Sequence, residues 1–131
     1  MERYLNKASL VLSMEKNCAV LKVANIIGKR WTLLILLELY KGEGKKRYTQ
    51  IKKKMKGITP KILSMRLKEL EKHSLIDKQV DASSFPIKSF YSLTLSGKDF
   101  MKIVEEMKGW TIRWKKATEH CKETNCSLCN K

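Results

Sequence analysis

The sequence is short of acids, of long apolar runs, of dispersed cysteines and of any catalytic grouping, and each shortage closes a class of function. Only 13 Asp and Glu stand against 28 Lys and Arg, leaving a formal charge of +15 at pH 7. Such an imbalance repels itself in the compact state, and it belongs to proteins whose partner is a polyanion: nucleic acid or, less often, an anionic membrane. The longest apolar stretch, Trp31 to Leu37, falls far short of the roughly 18 residues that cross a bilayer. No membrane helix is expected. Residues Met1 to Asn17 carry Glu2 and Glu15, hold only the apolar run Leu10 to Leu12 and offer no small-residue cleavage site, so a cytosolic protein is expected. Three of the four cysteines crowd into the last eleven residues, unlike the spread framework of a secreted disulfide scaffold; they read as thiols or ligands. His73 and His120 lack a neighbouring nucleophile with a supporting acid, and Lys29 beside Gly28 does not make a phosphate loop. The expectation is therefore not an enzyme.

What is present is enough for one domain over residues 1–131. At 43% hydrophobic residues, a chain of this length buries about two-thirds of its unfolded surface without staples. Leu5, Ala8, Val11, Leu12 and Met14 suggest a first short helix within residues 1–17. A second helix starts at Cys18 and carries Val20, Leu21, Val23, Ala24, Ile26 and Ile27 until Gly28 stops it. Trp31 to Tyr40 is apolar nearly all round until Glu38 and suits a short central helix. Tyr48, Ile51 and Met55 space out another, closed by Gly57. Thr59 and Pro60 then stand where an N-cap and a first helical residue belong. The helix they open runs to about His73, with Leu63, Leu67 and Leu70 inward and Lys61, Ser64, Met65, Lys68 and Lys72 on another face.

Past that helix the period changes. Leu75 to Val80 and Lys88 to Thr94 read as a β-hairpin with a polar tip from Asp81 to Pro86. From Ser96 a long helix resumes with a seven-residue repeat: Phe100, Met107 and Trp114 in one series, Ile103, Trp110 and Ala117 in the other. That is the seam of a helix that packs along a partner. The fold class is mainly α with a small β-hairpin wing: a winged helix-turn-helix core over 18–95, a dimerisation helix over 96–118 and a Cys-rich tail over 119–131.

In this arrangement the second helix of the motif enters the major groove while the first braces on the backbone. The charge agrees with that assignment. From Lys45 to Lys72 there are eleven Lys or Arg and only Glu69 and Glu71 to oppose them, so nine of the fifteen net charges lie in 28 residues. A charge run alone is often only a solvated helix face. Coinciding with a helix-turn-helix, it reads as a phosphate-binding surface on double-stranded DNA.

Ile27-Gly28-Lys29-Arg30-Trp31-Thr32-Leu33-Leu34-Ile35-Leu36, Arg47-Tyr48-Thr49-Gln50-Ile51, Gly57-Ile58-Thr59, Leu63-Ser64-Met65-Arg66-Leu67-Lys68-Glu69-Leu70-Glu71 and Tyr91-Ser92-Leu93-Thr94-Leu95-Ser96-Gly97 together resemble the HxlR-type winged helix regulators over about Cys18 to Trp114. The resemblance implies a homodimeric, DNA-binding transcriptional regulator. It also implies that Cys18, at the position of the family's early cysteine, senses electrophiles or oxidants. Ala19 follows Cys18 where that family usually has Pro, and Ser74 stands where Gly commonly follows the recognition helix. His73 or Ser74 must then accept the helix-ending conformation at some cost.

The expected DNA contacts are Thr59, Lys61, Ser64, Met65 and Lys68 toward the groove and Arg47, Tyr48 and Thr49 on the backbone. In the charge-poor wing Lys88 is placed to reach a phosphate, with Ser83 and Ser84 as hydrogen-bond donors. Met65 is equally a core candidate, and Arg66 a flank residue. Lys and Ser discriminate bases poorly, so DNA shape and half-site spacing would carry much of the specificity. In the tail, Cys121, Cys126 and Cys129 follow His120 as C-x4-C-x2-C. Four readings stand open: a zinc site completed by His120 or Cys18, a thiol switch between Cys18 and a tail cysteine, an iron–sulfur cluster, and inert thiols, with seam packing for Cys121. Two other functions compete with a regulator: a sequence-indifferent DNA-coating protein, suggested by 23 Lys to 5 Arg, and a metal or thiol-redox protein whose basic face is incidental.

Overall fold

The structure is a computed structural model that describes residues 18–42 and 44–114. The expected first helix, the helix beyond Trp114 with Ala117, and the tail with His120, Cys121, Cys126 and Cys129 lie outside the described residues. The chain divides into two compact units, 1–30 and 31–131, and each is described by itself.

The first unit contributes α1, Ala19–Ile27, where the sequence predicts it. Cys18 is its N-cap, and the half-exposed sulfur accepts a hydrogen bond from the Leu21 N–H at 3.4 Å. Gly28 ends it, donating to the Ala24 carbonyl at 2.8 Å.

The second unit runs α2 (Thr32–Tyr40), β1 (Lys46–Arg47), α3 (Tyr48–Lys54), α4 (Pro60–Lys72), β2 (Ile76–Asp81), β3 (Lys88–Leu93) and α5 (Leu95–Arg113). Trp31 does not open α2 as its apolar character suggested: it is the N-cap in a left-handed conformation, φ 80°. The expected hairpin is present, Ile76 facing Leu93 and Asp81 facing Lys88. It is also joined by a strand the pattern did not predict. β1 pairs antiparallel with β3, Lys46 opposite Tyr91 and Arg47 opposite Phe90, so the sheet order is β1-β3-β2. Two residues are too few to show any alternation.

The core gathers one stripe from each element. Ile35, Leu36 and Leu39 come from α2, Ile51 from α3, Leu63, Leu67 and Leu70 from α4, Ile76 and Tyr91 from the sheet, and Met101 and Val104 from α5. The helical members repeat at three and four residues, the period that keeps a helix stripe on one side. α2 packs on α5 and β3, and α4 on β2.

Two junctions set the wing against the helices. α4 ends in a Schellman motif: the Leu75 N–H reaches the Leu70 carbonyl and the Ser74 N–H the Glu71 carbonyl, both at 3.0 Å. Ser74 holds the left-handed position at φ 60°, which glycine fills at lower cost. Thr94 caps α5, its Oγ1 accepting from the Gly97 N–H at 3.0 Å and donating to the Ser74 carbonyl at 2.6 Å. A Cβ on Gly97 would stand 2.1 Å from the Leu75 carbonyl oxygen. Only glycine lets α5 start against the end of α4.

Candidate nucleic-acid interface

α3 and α4 form the helix-turn-helix. Gly57 makes the turn with φ 93°, a conformation open to glycine but strained for other residues. The Thr59 hydroxyl then accepts from the Ile62 N–H at 3.2 Å and caps α4, with Pro60 at its first position. At the start of α3 the Arg47 N–H donates to the Gln50 side chain at 2.9 Å. The Tyr48 hydroxyl donates to the Pro60 carbonyl at 3.3 Å. Tyr48 thereby ties the first turn of α3 to the first turn of α4 and sets the angle between them.

With Leu63, Leu67 and Leu70 fully buried, the opposite side of α4 faces solvent. Thr59, Lys61, Met65, Lys68 and Lys72 are exposed there, with Ser64 half-buried at the edge. Met65 keeps 42% of its surface accessible, which decides between its two readings: it is not core. Arg66 is drawn to the flank, its guanidinium 3.2 Å from the Glu69 carboxylate and mostly covered. The exposed face of α4 therefore presents lysine ammonium groups and no fork-shaped donor.

Arg47, Tyr48 and Thr49 line one shallow cleft with Ile87, Lys88 and Ser89 of the wing. The pairing of β1 with β3 brings them together. The first turn of α3 and a wing lysine, far apart in sequence, thus share one surface. Lys88 also has Asp81 directly across the strand. Asp81 accepts from the Ser83 hydroxyl (2.5 Å) and the Ser83 N–H (3.0 Å), and these bonds, helped by Lys88, hold its carboxyl below the ordinary range. It stays charged at neutral pH, with the Lys88 ammonium as a neighbouring opposite charge.

Besides β1, two features escaped the sequence reading. Lys46 counts toward the basic run, yet its ammonium turns inward to the Glu38 carboxylate (3.0 Å) and the Glu38 carbonyl, pinning β1 to α2. Glu38 is 3% exposed, and the only sequence signal was a lone acid in an otherwise apolar helix. The wing tip is apolar as well as poor in charge: Phe85 and Ile87 stand in solvent. On α5, Ile103, Met107, Trp110 and Trp114 of the heptad series are exposed, while Gly97, Met101 and Val104 form its buried side. No cluster of metal-ligating side chains occurs among the described residues, and no helix among them is long and apolar enough to cross a membrane.

A helix-turn-helix whose second helix exposes lysines, followed by a hairpin whose tip end lines a cleft with the first turn of α3, has the architecture of a winged helix DNA-binding protein. The chain belongs to the HxlR-like helix-turn-helix family, which it matches over residues 26–119. It is 36% identical over 86 residues to the HTH-type transcriptional regulator YodB of Bacillus subtilis, covering 66% of this chain and 74% of that one. It is 33% identical over 93 residues to the HTH-type regulator YvaP of the same organism, covering 71% and 83%. Among solved structures it resembles the reduced form of B. subtilis YodB at TM-score 0.62 and 35% identity, covering 72% and 90% of the two chains. It likewise resembles the redox regulator HypR in its oxidised form at TM-score 0.61 and 32% identity, covering 73% and 96%. The protein is a DNA-binding transcriptional regulator.

Proposed function

We propose that the regulator works as a homodimer on a pseudo-palindromic stretch of double-stranded DNA. α4 enters the major groove with Lys61, Ser64, Met65 and Lys68 toward the bases and Thr59 at its mouth, while Arg47, Tyr48, Thr49 and Lys88 grip the flanking phosphates. The observations that carry this reading are the exposed lysine face of α4, the cleft shared by Arg47, Tyr48, Thr49 and Lys88, and the Tyr48–Pro60 hydrogen bond that joins the start of α3 to the start of α4. The exposed Ile103, Met107, Trp110 and Trp114 on α5 support dimerisation, because a line of large apolar side chains at heptad spacing is stable when a second helix covers it. Two-fold symmetry then sets half-sites about one helical turn, or a multiple of it, apart.

Selection of bound sequences from a random DNA pool, followed by titration at physiological salt, tests the reading. A regulator prefers its selected site by at least about a thousandfold over bulk DNA. Equal affinity for all sequences would make it a DNA-coating protein instead.

Cys18 is the proposed thiol sensor. Its sulfur is half-exposed at the start of α1, and two of the structural neighbours are described by redox state: YodB in reduced and diamide-treated forms and HypR in an oxidised form. Diamide should change operator affinity in the native protein and leave Cys18→Ser unaffected. For Cys121, Cys126 and Cys129, elemental analysis of protein purified without oxygen separates zinc or an iron–sulfur cluster from free thiols.

A further inference from the structure

A large concavity lies away from the helix-turn-helix. It is an open cleft of about 1080 Å³, contained wholly in unit 31–131, between the C-terminal end of α2, the end of β3 and the middle of α5. No residue of α3 or α4 lines it. Its volume is at the upper end of the roughly 300–1000 Å³ usual for small-molecule sites.

The lining has two chemistries. Leu37, Leu39, Leu93 and Val104 make an apolar floor, and Tyr40 adds a half-exposed aromatic ring at the edge. Lys41, Lys45, Lys98, Lys102 and Lys108 surround that floor. Glu105 is the one carboxylate among the described lining residues. It is engaged by the Tyr40 hydroxyl, which donates to it at 3.2 Å, and that bond together with the negative charge of Glu105 raises the pKa of Tyr40. Lys102 lies 3.3 Å from Asp99, but both side chains are about four-fifths exposed, and such a pair yields readily to another anion. Five ammonium groups around apolar walls favour a ligand with an apolar body and a negative head. A free inorganic ion would leave the floor wet, and a neutral hydrophobe would leave the lysines unused.

The cleft stays accessible in the proposed dimer. At about 100° per residue, Lys98, Lys102 and Glu105 fall within roughly 60° of one another on α5, while Ile103, Met107, Trp110 and Trp114 cluster on a stripe roughly 140° away. A partner seated on the tryptophan stripe faces the other side of the helix.

We propose that this cleft is a binding site for a small amphipathic organic anion, an aromatic or short aliphatic carboxylate. The apolar body lies on Leu93 and Val104 beside Tyr40, and the carboxylate meets Lys98 and Lys102. The site uses none of the residues assigned to DNA, so it stands or falls independently of the reading above.

The test titrates the full-length protein with 2-naphthoate and with its neutral counterpart 2-naphthamide, following backbone amides by NMR. Naphthoate should bind with a dissociation constant on the order of 1 mM or tighter, shifting the amides of Leu39 to Lys41, Ser92, Leu93 and Lys98 to Glu105. Naphthamide should bind at least about tenfold more weakly, since it keeps the ring and loses the charge. The double variant Lys98→Gln/Lys102→Gln should weaken naphthoate at least about fivefold, while its far-UV spectrum and its DNA affinity stay at native values. Equal binding of acid and amide overturns the proposal. So does naphthoate binding that the double variant leaves unchanged, or shifts confined to α4 or to Trp110 and Trp114.

Discussion

α4 and α5 are built alike and finished differently. Each is an amphipathic helix with a three-residue buried stripe, Leu63, Leu67 and Leu70 in one and Gly97, Met101 and Val104 in the other. Each then turns its remaining surface outward. α4 exposes Lys61, Met65, Lys68 and Lys72, whereas α5 exposes Ile103, Met107, Trp110 and Trp114. The buried stripe only attaches a helix to its own core; the exposed one states what it will meet. Ammonium groups are comfortable in water and gain by releasing counterions from DNA. Tryptophans at heptad spacing gain by leaving water. In the proposed assembly the two helices address different partners, and substitutions in one should leave the other's partner untouched.

The largest effect is expected where the two helices meet. Gly97→Ala places a Cβ against the Leu75 carbonyl, and backbone on both sides has to give, so thermal or urea unfolding should show a loss of about 3 kcal/mol or more. A loss under about 1 kcal/mol would show that the junction relaxes freely. Next comes the apolar stripe. Trp110→Glu should raise the dimer dissociation constant by about a hundredfold in sedimentation equilibrium, with the protomer still folded. An unchanged dimer would remove α5 from the interface. Smaller again are Lys61→Ala and Lys68→Ala, each expected to lower the slope of log affinity against log salt by about one while the dimer constant stays the same. A residue whose removal leaves the slope intact does not touch phosphate. Smallest is Ser74→Gly, which relieves the left-handed strain at the end of α4 and should raise stability by about 0.5–1 kcal/mol in the same unfolding assay. Destabilisation there would mean that the Ser74 side chain contributes more than its backbone costs.

Much of the fold was legible because it rests on local rules. The cap at Thr59, the break at Gly57, the period of Leu63, Leu67 and Leu70 and the switch to alternation after Leu75 each depend on residues within one turn or one strand. The cost at Ser74 was legible for the same reason, since a helix C-terminus has few ways to close. β1 was not, because two residues show no period and only their pairing with β3 defines them. Lys46 counted toward the basic run although it turns inward, because its partner, Glu38, lies on α2 and no local pattern joins them. Net charge adds without regard to where each ammonium points.

By itself the sequence determined that this chain is a basic winged helix of the HxlR type, the order of its helices and hairpin from Cys18 to Trp114, and the inward stripe Leu63, Leu67 and Leu70 of α4. These follow from side-chain periodicity, capping chemistry and motif order, all written along the chain. Only the tertiary structure decided that Lys46 leaves the basic surface, engaged by Glu38 of α2, while Lys61 and Lys68 stay exposed. It also brought Lys88 beside Arg47 and Tyr48, and gathered Lys41, Lys45, Lys98, Lys102 and Lys108 around one apolar cleft. Charge is a property of residues, whereas a binding surface is a property of distances between them, and those distances exist only once the sheet and α5 have closed on the core.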